Sequence, residues 1–360
     1  MNVPLVRPGP WDRGRFGLAR LFRIREVGLI SIVVVVSIVA AISIPAFRNG
    51  VNLRELLDNA AVVAIVAIGE SLVLLSRQID LSVGAILGLS AFITGSLISQ
   101  LSGLGGVGVA LIALLLPFFI GIILGLINGV LISFARMPAI IATLATLSIY
   151  SGLQVVVSGG SQVYAYQLPT WLSQLYTTSW LGVGSFVWIA VVWVVLFSFV
   201  MRILRWGRDL YAMGSNPEAA RYMAIPTRRR TIQAFVVCGA LAGFGGLLYI
   251  AQYGNVDATA GAGFELTVIA GAVVGGVSLF GGSGSPLGAA LGAVLLLEIE
   301  NVLALLKISI FAQQTLQGVA IISAVALYAV LMRRSQQPAT RNRSQSDNDT
   351  PQIVKTEVQQ

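Results

Sequence analysis

Arg202-Ile-Leu-Arg205-Trp-Gly-Arg208-Asp209-Leu-Tyr-Ala-Met-Gly214-Ser-Asn216-Pro217-Glu218-Ala219-Ala220-Arg221-Tyr-Met-Ala-Ile225-Pro226-Thr-Arg228-Arg229-Arg230 is a polar island in an apolar chain. Long hydrophobic segments flank it on both sides. Arginines outnumber its two acids, Asp209 and Glu218. Such a patch between two apolar runs belongs on one face of a membrane, where its charges stay in water. Within it, Asn216-Pro217-Glu218 reads as a helix start. Asn suits the N-cap, Pro the first turn, and Glu complements the positive end of the helix dipole. Pro226 closes that helix, because proline disfavours helical backbone in the residue before it.

Composition points the same way. Of 360 residues, 56% are hydrophobic and only 11% charged. That balance identifies an all-α, polytopic membrane protein. The net charge of +8 sits in loops and termini, which is a topology signal and not a nucleic-acid footprint. There is no histidine, so the commonest general base and metal ligand is missing. The single cysteine, Cys238, lies in an apolar run and reads as a small core residue. No metal cluster and no cofactor are expected.

Working outward from the island gives about ten spans of roughly 20 residues. They are expected over residues 27–47, 59–76, 85–101 (after a break over 77–84), 109–134, 139–157, 181–201, 231–252, 264–280, 287–306 and 311–332. A short amphipathic interfacial helix is expected over 52–58. Arginines at 7, 13, 15, 20, 23 and 25 precede the first span and place the N-terminus in the cytoplasm. An even number of spans returns the C-terminus to the same side. Charge agrees with that parity. Arg77, Arg136, the island and Arg333-Arg334 then lie inside, and Arg48, Arg54 and Lys307 outside. Aromatics crowd the 158–180 connection, as at a lipid–water boundary. The organisation is a basic segment (1–26), a transmembrane domain (27–332) and a polar tail (333–360) expected to be disordered.

Two polar interruptions look alike. Ser82-Val-Gly84-Ala85-Ile-Leu87-Gly88 and Pro286-Leu-Gly288-Ala289-Ala-Leu291-Gly292 share Gly-Ala-x-Leu-Gly. Paired interruptions in two halves of a transporter can mark its translocation path. Chance repetition in glycine-rich helices would leave the same trace. Asp80 reads as the cap of the helix that begins near Leu81.

Gly207 to Arg221 resembles the cytoplasmic coupling loop of bacterial ABC-importer permeases of the ribose/xylose/galactose type, with Met223-Ala224-Ile225 where that family usually has small-Gly-Ile. Gln78-Ile-Asp80-Leu-Ser82-Val-Gly84 is similar to the family's Ile-Asp-Leu-Ser-Val-Gly. Asn128-Gly129, Arg136-Met-Pro138 and Thr143-Leu-Ala145-Thr146 follow its order, as do Phe264-Glu265-Leu266 and Gly275-Gly276 to Ser285. The resemblance covers about residues 50–330. It implies the ABC-importer permease fold in the bacterial inner membrane, with residues 202–230 as the coupling loop. Gly214, Asn216, Pro217, Glu218, Ala219, Ala220 and Arg221 would then engage an ATPase subunit. The chain carries no Gly-x-x-x-x-Gly-Lys-Ser/Thr motif, so hydrolysis is expected in that partner and not here. A periplasmic sugar-binding protein and a second permease copy or paralogue complete the expected assembly.

The expected cargo is a monosaccharide. Its path needs polar groups that satisfy hydroxyls. Candidates are Asn128, Thr143, Thr146, Gln154, Glu265, Asn301, Gln313 and Gln314. The same residue types also bond across helices or back to their own backbone. Within the permease class a nucleoside, a furanose-like signal or a branched-chain amino acid is an alternative cargo. From a different class, an ion- or proton-coupled secondary transporter would use Glu70, Glu265, Glu298 and Glu300 as titrating groups.

Overall fold

The computed structural model describes residues 25–101, 106–309, 311–315, 318, 319 and 322. The N-terminal arginines up to Arg23, most of the span expected over 311–332 and the tail from Arg333 lie outside the described residues.

The chain is a helical bundle. Its helices are α1 (Arg25–Ser43), α2 (Gly50–Leu75), α3 (Val83–Leu101), α4 (Val107–Ser133), α5 (Ala139–Ser158), α6 (Thr170–Thr177), α7 (Ser185–Ile203), α8 (Arg205–Ser215), α9 (Pro217–Tyr222), α10 (Thr227–Tyr253), α11 (Phe264–Val274) and α12 (Pro286–Leu305). Among the described residues, eight are long and apolar enough to cross a membrane: α1–α5, α7, α10 and α12. In a bilayer a helix satisfies its own backbone donors and acceptors, and so this architecture follows from the apolar runs. Helices α2, α3 and α10 are largely enclosed, whereas α1, α4, α5 and α7 turn most of their surface outward. The outward side chains are apolar, among them Val35, Ile42, Phe119, Ile141, Val192 and Phe199.

Packing relies on small residues, since lipid tails compete with any merely apolar contact. Helices α4 and α10 meet along Gly121, Gly125, Gly239 and Gly243, where added methyl groups would strike backbone atoms of the neighbour.

Three expectations change. The amphipathic stretch 52–58 is not a separate interfacial helix but the first turns of α2, started by the Asn49 side chain, which accepts from the Val51 N–H. The span expected over 264–280 is the 11-residue α11 followed by an irregular segment. Its glycines at 275, 276, 281, 282 and 284 stop the helix, and four of these have positive φ. The island folds into two helices, α8 and α9, instead of one.

The ends of the bundle differ. The island end gathers α8, α9, the turn after α2 and the segment before α12. The far end carries α6 and a two-residue hairpin, Ser179–Trp180 with Val183–Gly184.

Candidate functional site

The island begins with α8, an amphipathic helix that buries Asp209, Leu210, Met213 and Gly214. Asp209 is tied to Arg230 at the start of α10, with Nη2 at 2.7 Å and Nε donating at 2.8 Å. Asn216 then caps α9 as its sequence implies, accepting from the Glu218 and Ala219 N–H groups at 3.1 and 3.0 Å. Of the residues expected to engage a partner, Ala220 and Gly214 are turned inward. Asn216, Glu218, Ala219 and Arg221 are exposed, and Pro217 is half-buried. Tyr222 at the end of α9 and Met223 at its C-cap, neither expected to engage a partner, are 90% and 76% exposed.

One hydrogen bond joins the two interruptions to each other, and two more tie the island to the second of them. The Gly282 N–H donates to the Leu75 carbonyl at 3.1 Å. The Tyr211 hydroxyl donates to the Gly284 carbonyl at 2.8 Å. Ser215 Oγ donates to the Gly282 carbonyl at 3.4 Å. Gly214 lies so close to the Leu75 carbonyl and the Gly282 nitrogen that a methyl group there would overlap both. Burial, and to a smaller extent the Glu26 carboxylate, hold the Tyr211 phenol above its ordinary pKa, so it remains a donor.

From this end the segment Ser76–Ser82 turns back into the bundle before α3 begins. Its depth is set by side chains. The Asp80 N–H donates to Glu70 Oε1 at 3.1 Å, and Asp80 Oδ1 accepts from the Ser82 N–H and Oγ at 2.9 and 2.7 Å. Asn128 Nδ2 donates to Ser82 Oγ at 2.7 Å and lies 3.4 Å from both Asp80 oxygens. Thr143 Oγ1 reaches the Ile79 carbonyl at 3.3 Å. The Tyr150 hydroxyl lies 3.4 Å from Asn128 Oδ1. Glu70, Asp80, Ser82 and Asn128 are fully buried. Asp80 thus does organise the start of α3, through the turn before it and not as the N-terminal cap at Leu81.

A second irregular segment, residues 254–263, enters from the far end. It starts beside Val163, which pairs with Val256. It then runs across the first turns of α3. Methyl groups on Gly84 and Gly88 would overlap the carbonyls of Gly261 and Ala260. Gln154 Nε2 donates to the carbonyls of Asp257 and Ala260 at 3.0 and 3.2 Å. The short helix α11 follows, with Glu265 in its first turn. Its other end packs on α12 through Gly271, Gly275, Gly288 and Gly292. The two Gly-Ala-x-Leu-Gly motifs therefore do equivalent work. Each begins a helix and lets a neighbouring backbone come close.

Five sequence candidates, Asn128, Thr143, Thr146, Gln154 and Glu265, lie around these two segments. Thr146 spends its hydroxyl on the Thr143 carbonyl at 3.2 Å. Asn301, Gln313 and Gln314 are not brought there. Asn301 exchanges hydrogen bonds with Asn52 near the far end. Gln313 donates to the Ile308 carbonyl, and Gln314 is exposed. Glu298 accepts from Ser37 on α1. Sequence reasoning passed over Ser90 and Thr94. They stand one turn apart on α3, buried, with hydroxyls that find no partner among the described residues. Their i, i+4 spacing was visible, but nothing in the sequence said that their helix would be central.

The family model described as the branched-chain amino acid transport system / permease component matches residues 52–332. The autoinducer 2 import system permease protein LsrC of Salmonella typhimurium is 32% identical over 308 residues, covering 85% of this chain and 86% of that one. The protein of the same description from Escherichia coli is 33% identical over 299 residues, covering 83% and 85%. No solved structure matches the chain significantly. The buried breaks, the eight long apolar helices and these matches agree. The chain belongs to the branched-chain amino acid/sugar permease family and is a multi-pass inner-membrane permease of the ABC-importer type.

Proposed function

We propose that this permease imports a small polyhydroxylated solute, a monosaccharide or a sugar-derived signal of the autoinducer 2 kind, with ATP hydrolysed by a separate subunit. A binding protein outside delivers the solute, and two permease chains form the conducting unit. The observation that carries this reading is the junction of Gly214 and Ser215 with Leu75 and Gly282. Any displacement of α8 and α9 is passed directly to the two interruptions that flank α3 and α12. The exposed face of α9, with Glu218, Ala219, Tyr222 and Met223, is what the ATPase would grip. The island end then faces the cytoplasm. The solute path passes the first turns of α3, beside Gln154 and Glu265 and on towards Ser90 and Thr94. Hydroxyl-rich cargo suits neutral amide and hydroxyl groups more than fixed charges.

The test is uptake in proteoliposomes that contain the permease, its co-expressed ATPase and its binding protein. Glu218→Lys with Ala219→Trp leaves the chain in the membrane and abolishes ATP-driven uptake. Unimpaired uptake by that variant removes α9 as the contact. Uptake that follows an imposed proton gradient with ATP absent removes the ATP-driven reading altogether.

A further inference from the structure

The island end holds a cavity of about 1060 Å³ behind the exposed face of α9, with Pro217 and Arg221 in its wall. Its walls come from the turn after α2, the α4–α5 connection, α9 and the start of α10. Five arginines line it: Arg77, Arg136, Arg221, Arg228 and Arg229. Among the described residues, none of the five forms an ion pair. The two ion pairs present are Arg54 with Asp58 and Arg230 with Asp209. Among the described residues, no aspartate or glutamate lines the cavity.

The arrangement is more specific than a basic membrane face. Arg77 and Arg136 sit in tight turns with φ of 65° and 56°, which bring them to the rim from two separate connections. Two long helices also start at this wall. Pro138 precedes α5 and Pro226 precedes α10, both prolines line the cavity, and neither helix start has a side-chain cap. Uncapped first turns present N–H donors and the positive end of the helix dipole. Five unpaired guanidiniums and two such helix starts converge on one volume. Guanidinium forks match the paired oxygens of a phosphate better than they match a single carbonyl or hydroxyl.

We propose that this cavity binds a phosphate-bearing anion. Two sources share that chemistry, the headgroup of an anionic phospholipid and a soluble phosphate ester. The headgroup has a route in. Phe134, Ile140 and Ile141, beside the lining residues on α4 and α5, are 63%, 48% and 58% exposed and form an apolar flank next to the rim. Basic pockets between transmembrane helices hold headgroups in this way.

The experiment uses the full-length purified chain in nanodiscs and reads its unfolding temperature. One set is phosphatidylcholine alone, titrated with inorganic pyrophosphate. The other contains added phosphatidylglycerol. A rise in the second set alone assigns a lipid headgroup, and a saturable rise with pyrophosphate assigns a soluble phosphate. Either rise is lost in the triple variant Arg136→Gln, Arg228→Gln, Arg229→Gln. It is kept in Arg202→Gln, Arg205→Gln, Arg208→Gln, which has the same net charge but leaves the cavity intact. The proposal is overturned if neither anion raises the unfolding temperature. It is equally overturned if the two triple variants lose the rise alike, because the effect is then diffuse charge and not a site. The arginines are exposed, so both variants should fold. A far-ultraviolet helix signal equal to that of the unsubstituted chain verifies this.

Discussion

Two non-helical segments penetrate this bundle, and opposite means hold them. Residues 76–82 are anchored by side chains: Glu70, Asp80, Ser82, Asn128 and Thr143 form a buried network around one turn. Residues 254–263 are anchored by proximity, with Gly84 and Gly88 admitting the backbone of Ala260 and Gly261. Non-helical backbone at membrane depth is tolerated only where protein satisfies it. The first segment meets that demand with specific hydrogen bonds, so its position is sharply set. The second meets it with close packing, the Gln154 amide and the Val163–Val256 backbone pair, so fewer side chains set its position. This contrast suits a transporter in which one segment follows the island and the other yields.

The contrast can be broken by substitution. The largest effect is expected at Gly88. Gly88→Leu forces a side chain into the Ala260 backbone, and uptake should be abolished, with a loss of stability of about 3 kcal/mol or more from overpacking. Normal uptake in that variant would mean the two backbones are not in contact during transport. Asp80→Ala comes next. It strands the Ser82 N–H and hydroxyl, for a loss of about 2–3 kcal/mol, read as a lower unfolding temperature. Asp80→Asn keeps an acceptor and should lose less. Equal losses would argue that the charge, and not the hydrogen bonding, sets the turn. Gln154→Leu should lose only about 1–2 kcal/mol, since packing continues to hold the second segment. A loss larger than that of Asp80→Ala would reverse the proposed difference. Asn301→Ala, outside both segments, removes its bonds to Asn52. It should change stability by about 1 kcal/mol at most and leave uptake unaltered; an uptake defect would return Asn301 to the path.

Much of this was legible before the structure. Asn216 and Pro217 announce a helix start wherever they occur, because the cap is local, and α9 begins there. Asn128, Thr143 and Gln154 stood out as polar groups in apolar runs, and such groups must find partners inside the protein. Other features were hidden. The count of full spans failed at residues 264–280, because an apolar window cannot distinguish a helix from a half-helix followed by positive-φ glycines. Tyr222 and Met223 looked like ordinary helix residues, and only their 90% and 76% exposure marks them as a surface that lacks a cover.

By itself the sequence determined that this chain crosses a membrane many times, and it marked local features such as the cap at Asn216. Those properties depend on local transfer energies, caps and turns, which act within a few residues. Only the tertiary structure decided that Gly88 meets Ala260, that Gly214 touches Leu75 and Gly282, and that five arginines from two connections and two helices share one cavity. Such contacts join residues far apart in the chain. Nothing in the local pattern of either partner specifies the other, and the packing of whole helices brings them together.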